Sequence, residues 1–216
     1  MEDNKTFGID LKVILVGDTS TGKTSIINRY IKGTFEEQCR ATISPNFSSK
    51  MIKKDGFTYR LQCWDIPGQD RNPTLTSIFC RDTQGVVLCC DVKEKKTRED
   101  LLKWKNSLES YSNISNLPII ILENKCDLLG KEDNYNDDIE ELKHFSEDNN
   151  FSGYFRTSAL NGYNIENAMD FLISEIIKVI KDNENTDNER IDKNEKKDDH
   201  KLTAELTKND DKKRCC

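Results

Sequence analysis

An apolar run, Leu11–Val16, leads directly into GDTSTGKTS, Gly17–Ser25, and on into a helix-like segment, Thr24–Ile31. The loop fits G-x-x-x-x-G-K-[ST] at Gly17, Gly22, Lys23 and Thr24. A strand, a glycine-bearing loop and a helix N-terminus in that order aim successive backbone N–H groups at one point. Such a nest binds phosphate oxygens. Thr19, Ser20, Thr21 and Ser25 complete the loop around the same phosphates. Lys23 is placed to reach the outer phosphates, and the Thr24 hydroxyl to hold Mg²⁺. A plain Gly/Ser/Thr-rich surface turn is the alternative, and the strand and helix flanks speak against it.

Further strand-like runs follow at Tyr59–Ile66, Gly85–Asp91, Pro118–Glu123 and Gly153–Thr157. Helical spacing separates them: Leu101, Leu102, Trp104 and Leu108; then Ile139, Leu142 and Phe145; then Ile165, Met169, Leu172, Ile173, Ile176, Ile177 and Ile180. Alternation of this kind predicts an α/β chain, a P-loop NTPase with a six-stranded, mostly parallel sheet and helices on both faces. Asp55-Gly56, between Met51 and Arg60, reads as a hairpin turn, so one strand pair is expected to be antiparallel.

The expected organisation is a flexible extension over 1–9, a nucleotide-binding domain over 10–181 and a tail over 182–216. Residues 181–216 hold no Gly, Pro or aromatic residue and alternate charges of both signs. Such a segment buries too little apolar surface to offset its ordering entropy; a regular surface helix is the alternative. The net charge of −6 gives no sign of a nucleic-acid partner. No apolar stretch approaches the roughly 20 residues of a membrane span, and MEDNKTFGID carries no signal-peptide or myristoylation pattern. Eight cysteines without a CxxC pair, three of them in apolar strands (Cys63, Cys89, Cys90), suggest reduced thiols and a cytosolic setting. Two histidines, His144 and His200, make a His-based metal site or triad improbable.

Three motifs narrow the nucleotide. WDIPGQD, Trp64–Asp70, ends a strand. Asp65 there suits the Mg²⁺ shell, the Gly68 N–H suits the γ-phosphate, and Gln69 stands where an attacking water is oriented, making it the candidate catalytic residue. NKCD supplies Asn124, Lys125 and Asp127. A carboxylate accepts two hydrogen bonds from guanine and finds none on adenine, so an unpaired acid penalises the wrong base. Lys125 can lie across the base, and Asn124 can tie loops together. TSA supplies Ser158, to brace Asp127, and Ala159, whose N–H would meet the guanine O6. Each of these motifs alone also fits a generic turn; their order and strand contexts favour GTP. In ATISPNF, Ala41–Phe47, Thr42 offers a hydroxyl to Mg²⁺ and an N–H to the γ-phosphate, while Phe35 can cover the base edge. Both would be ordered only with the γ-phosphate present.

With these residues in view the chain resembles the Rab family of Ras-superfamily GTPases, over roughly Leu11–Ile180 plus the last two residues. CRATI, WDI-x-GQ, LLKWKNSLES, ILENKCD and FSGYFRTSA are most similar to the subgroup serving lysosome-related organelles and phagosomes. The resemblance implies a slow GTP hydrolase that cycles between GTP and GDP and recruits effectors in vesicle traffic. Its effectors would read Phe47, Trp64 and Phe79, with Ile43 beside them. It implies an exchange factor, a GTPase-activating protein, an escort protein and a dissociation inhibitor as partners. It places the chain on the cytoplasmic face of an intracellular membrane (endosome, lysosome-related organelle or phagosome), with a cytosolic pool. The terminal Cys215 and Cys216 match the family's doubly geranylgeranylated ending, and two chains anchor where one binds marginally. Lys212, Lys213 and Arg214 add attraction to anionic headgroups.

Several positions depart from the family pattern. Ser44-Pro45 and Asn46 stand where Gly-Val and an acid are usual. Pro67, Asn72 and Cys39 replace an Ala, an aromatic and a Tyr; Leu160 replaces a Lys beside the base. Thr19 and Ser20 put side chains into the phosphate loop, where they can crowd an attacking water. These changes leave open a binding module that holds GTP as a membrane tether with little turnover. A P-loop kinase would need lid arginines and an acceptor pocket, and NKCD speaks against it.

Overall fold

The computed structural model describes residues 8–37, 40–69, 78–110, 116–130 and 135–183. Six strands form one sheet: β1 (Ile9–Val16), β2 (Asn46–Lys54), β3 (Phe57–Asp65), β4 (Gly85–Asp91), β5 (Ile119–Asn124) and β6 (Gly153–Arg156). Their order is β2-β3-β1-β4-β5-β6. All neighbours run parallel except β2 and β3. That pair is closed by Asp55 and Gly56, both at positive φ (53° and 81°), as a two-residue hairpin requires. β2 was not among the apolar runs. It is an edge strand with alternate residues exposed, so its hydrophobic signal is diluted. β6 is one residue shorter than expected, ending at Arg156.

The helices are α1 (Lys23–Lys32), α2 (Lys95–Glu99), α3 (Leu101–Glu109), α4 (Tyr135–Asp148) and α5, over 165–176 in the first unit. The chain divides into two units at Ile176/Ile177, and the described part of the second, 177–183, is helical. β4 is buried at every residue and β5 likewise, as strands covered on both faces must be. On one face Ile14, Val86, Leu88 and Ile121 form a core with Leu101, Trp104 and Leu108 of α3 and Leu142 of α4. On the other, Leu11, Val13, Leu15 and Leu61 are buried together with the apolar stripes of α1 (Ile26, Ile27, Tyr30) and α5 (Ile165, Met169, Leu172). Gly85 admits α5 closely: a Cβ there would come within 2.6 Å of Ile176 Cδ1.

Cys63, Cys80, Cys89 and Cys90 are free and buried. Burial pushes the Cys63 and Cys89 thiols up to about 12 and Cys80 to about 11, so they pack as small apolar groups. Among the described residues no helix is long and apolar enough to cross a membrane. Cys39, Asn72, Cys215 and Cys216 lie outside the described residues, as does most of the expected tail.

Candidate nucleotide site

The C-terminal ends of β1, β3, β5 and β6 open onto a cavity of about 500 Å³. It is lined by Thr19, Ser20, Gly22, Lys23, Thr24 and Ser25 from the loop after β1. Phe35 and Thr42 line it from the segment before β2, and Gly68 from the loop after β3. Asn124, Lys125 and Asp127 follow β5; Ala159 and Leu160 follow β6. Crossover connections put these loops together because parallel strands all end on one side.

Gly22 caps α1 in a left-handed conformation (φ 92°), and a Cβ there would lie 2.3 Å from Asn124 Nδ2. The phosphate loop and the NKCD loop therefore touch through a residue that only glycine fits. Asn124 Nδ2 donates to Thr21 O (2.9 Å), which fixes the same contact. Lys23 Nζ donates to Gly17 O (2.8 Å) and Asp18 O (2.9 Å). Burial draws the Lys23 ammonium below its usual range, against the pull of Cys89, Asp65 and Asp18. Polyphosphate oxygens would supply the counter-charge this ammonium lacks. The Thr21 hydroxyl donates to Asp18 O (2.9 Å); Thr21 is fully buried, and neither it nor Gly17 lines the cavity. The loop is tied to α3 as well, by Trp104 Nε1 donating to Asp18 Oδ1 (3.0 Å).

Thr24, Thr42 and Asp65 converge from three segments. Thr24 Oγ1 donates to Asp65 Oδ2 (2.5 Å), Thr42 Oγ1 donates to the same oxygen (3.1 Å), and the two hydroxyls lie 2.9 Å apart. Asp65 Oδ1 is buried without a hydrogen-bond partner. Burial raises the Asp65 pKa, while Lys23 and the two threonines lower it. Two hydroxyls and a buried carboxylate with an orphaned oxygen are the hard oxygen donors that Mg²⁺ takes. The residues present therefore fit that ion, and an unpaired buried carboxylate gains from a cation.

On the base side, Asp127 Oδ1 accepts the Ser158 hydroxyl. Lys125, in the left-handed region (φ 66°), forms an ion pair with Asp91 of β4 at 2.6 Å. The Ala159 N–H, expected to meet a guanine O6, donates here to Asn124 Oδ1 (3.1 Å). Ser158 is fully buried behind the cavity wall. Arg29 of α1 braces this loop by donating to Ala159 O (2.8 Å) and Leu160 O (2.5 Å), and is itself held to the end of its helix by Gly33 O (2.8 Å). Leu160 lines the cavity and is half-exposed.

Gln69 is exposed and lines a separate cleft, which it shares with Thr19 and Gly68. Gly68 and Thr19 thus border both spaces. Glu36, Glu37, Arg40, Ala41 and Leu128 also line the nucleotide cavity. Arg40 and Ala41 lie inside CRATI, though no role was read for them; for Glu36, Glu37 and Leu128, nearness in sequence to Phe35 and Asp127 was the only available signal. Outside the cavity, Phe47 stacks on Trp64 (centroids 5.0 Å apart), and Trp64 meets Phe79 (5.7 Å). Ile43, at 91% exposure, lies just before Phe47 in sequence.

The Ras family model matches residues 12–178. The chain is 34% identical to "Ras-related protein Rab-32" of Homo sapiens over 209 residues, covering 95% of this chain and 88% of that protein. It is 38% identical to "Ras-related protein Rab-32A" of Dictyostelium discoideum, covering 77% and 78%. It is 33% identical to "Ras-related protein Rab-7L1" of Homo sapiens, covering 77% and 82%.

Proposed function

This chain belongs to the Ras family, as a Rab-type small GTPase of the Rab-32 subgroup, and on that premise we propose that it is a slow GTP hydrolase acting as a membrane switch. The observation that carries this proposal is the meeting of Thr42 with Thr24 and Asp65. Thr42 lies just ahead of β2, next to the exposed Ile43, so a group that engages its hydroxyl also sets the surface beside it. Residues 10–181 are the proposed nucleotide-binding domain.

GTP is held by backbone N–H groups of the phosphate loop and by Lys23, which exchanges its bonds to Gly17 O and Asp18 O for phosphate oxygens. Asp127 reads the guanine N1–H and amine, with Ser158 fixing its carboxylate. Lys125 and Phe35 flank the base. Thr24, Thr42 and Asp65 would hold Mg²⁺, whose charge offsets that developing on the phosphates. Gln69 orients a water in line with the γ-phosphate. Positioning and charge supply the catalysis, so the unassisted rate is slow, and an activating protein adds the missing cation.

In the GTP state Ile43, Phe47, Trp64 and Phe79 present an apolar face to effectors. Cys215 and Cys216, geranylgeranylated, hold the protein on the cytoplasmic side of an endosome, lysosome-related organelle or phagosome. An exchange factor, an escort protein and a dissociation inhibitor complete the cycle of vesicle traffic.

A second reading, a GTP-holding tether with little turnover, draws on the phosphate loop. Ser20 is a non-glycine residue at φ 66°, and a Cβ on Gly68 would lie 2.4 Å from Thr19 N. Side chains at 19 and 20 therefore stand where the loops are already in contact. One experiment separates the two: the protein is loaded with GTP and Mg²⁺, incubated, and its bound nucleotide analysed. Progressive conversion to GDP supports the switch. GTP that persists through prolonged incubation supports the tether, and failure to retain either nucleotide overturns both.

A further inference from the structure

Glu123 is the penultimate residue of β5 and Arg156 the last of β6; Asn124, which closes β5, and Thr157, which follows β6, lead into the base-side loops. Glu123 and Arg156 face each other in the β5–β6 register. Both side chains are charged and both are buried, at 1% and 5% exposure. Arg156 Nε donates to Glu123 Oε2 (2.6 Å). The other carboxylate oxygen, Oε1, accepts from Arg98 Nε (3.1 Å) and from Arg98 Nη2. Arg98 also reaches Glu141 of α4, Nη1 to Oε2, at 3.3 Å. An acid at the root of the NKCD loop is thus clamped by arginines from α2 and β6.

A buried ion network is weak evidence of stability, because apolar side chains of similar volume serve as well or better. What they lack is a fixed register. Sliding β6 against β5 by one residue would separate Glu123 from Arg156 and strand charges in the core, a strongly penalised state. The backbone carries this register into the loops. Thr157 N donates to Glu123 O (2.9 Å), and Cys126 N donates to Thr157 O (3.1 Å). Asn124 and Ala159, then Ser158 and Asp127, bond across the same junction.

We infer that the Arg98–Glu123–Arg156 network is a positioning device that aligns the two base-reading loops and so sets how long a guanine nucleotide stays bound. None of the three lines the nucleotide cavity; they act through Asn124, Asp127 and Ala159. This inference rests on the guanine-binding function proposed above and adds to it the residues that govern nucleotide residence.

The test uses the full-length protein loaded with fluorescent GDP or IDP, chased with excess unlabelled nucleotide. IDP lacks the exocyclic amine, so the ratio of the two release rates reads the alignment of Asp127. The triple variant Arg98→Met/Glu123→Leu/Arg156→Met removes every charge of the cluster that the core buries. It is expected to fold by circular dichroism, to release GDP at least tenfold faster, and to lose at least threefold of the GDP-over-IDP ratio. A general loosening would speed both nucleotides equally and leave the ratio intact, which overturns the inference. So does a folded triple variant whose GDP release stays within twofold of the parent. If the triple variant does not fold, Arg98→Met alone decides, because it leaves Glu123 paired with Arg156: at least threefold faster GDP release and a smaller ratio are expected, and unchanged values overturn the inference. A parent protein that retains no GDP overturns the underlying function instead, and does so before any substitution is made.

Discussion

On the base side, Asn124 alone bonds to Thr21 O, the Ala159 N–H and the Thr157 hydroxyl, the last at 3.4 Å, and all three contacts are buried. On the outer-phosphate side, the hydrogen bonds of the described residues from 34 to 45 come down to the Thr42 hydroxyl. One half of the cavity is assembled by the fold; the other hangs from a side chain that also suits a ligand. The difference follows from where each loop starts. NKCD springs from the inner strand β5 and TSA from its neighbour β6, both with buried ends, whereas Thr42 precedes β2, an edge strand with no fully buried residue. A site built this way keeps its specificity when empty and makes its outer surface conditional on what is bound.

The largest expected effect lies on the preassembled side. Asp127→Asn should shift preference from GTP toward XTP by about 10⁴–10⁵, the range over which a polar site rejects a ligand that leaves its groups unpaired. Competition of the two nucleotides for the variant measures it, and retained selectivity for GTP contradicts the role of Asp127. Next comes Gln69→Leu, which should slow single-turnover hydrolysis by about tenfold or more while leaving GDP affinity near that of the parent. An unchanged rate would remove Gln69 from the chemistry.

Asp65→Asn sharpens the comparison because stability and binding should move apart. An acid whose folded pKa is raised costs stability above that pKa and costs none below its unfolded value. Burial raises Asp65 in this way. The nucleotide-free variant should therefore be at least as stable as the parent at pH 7–8, with the gap closing as pH falls toward the ordinary carboxylate range. Mg²⁺-dependent GTP retention should drop about tenfold or more. Thermal melts with and without nucleotide test both halves; a variant that is less stable when empty at pH 7–8 contradicts the assignment of Asp65 as an underused carboxylate. The smallest effect is expected from Ser20→Gly. Relief of a left-handed serine is worth about 1 kcal/mol, less the extra entropy of an unfolded glycine. A modest rise in melting temperature is expected, and faster conversion of GTP to GDP if the serine side chain crowds the water.

The sheet and the cavity were legible in the sequence for one reason: parallel strands buried on both faces print near-continuous apolar runs, and their loops carry short motifs. Gly85–Asp91 and Ile119–Asn124 are such strands. β2 was read only through its Asp55-Gly56 turn, since an edge strand such as Asn46–Lys54 alternates partly buried and exposed residues, among them three lysines. The helical run Leu101–Leu108 is α3; the short α2 before it, Lys95–Glu99, has no buried residue and so leaves no apolar spacing to read. The charged supports were the least legible. Glu123, Arg98 and Arg156 look like surface residues one at a time; only the register of β5 against β6 puts opposite charges together indoors. Arg29 and Trp104 were hidden in the same way, because each acts on a loop far from it in sequence.

The strand order has a consequence for how the molecule is made. β1, β3 and the phosphate loop between them lie within the first 65 residues, and the base-reading loops arrive only with residues 124–160. During synthesis, phosphate-binding parts leave the ribosome well before the parts that recognise guanine. α5, whose Ile165, Met169 and Leu172 are buried, is synthesised after both, so the cover of one sheet face is the last part of the first unit to emerge.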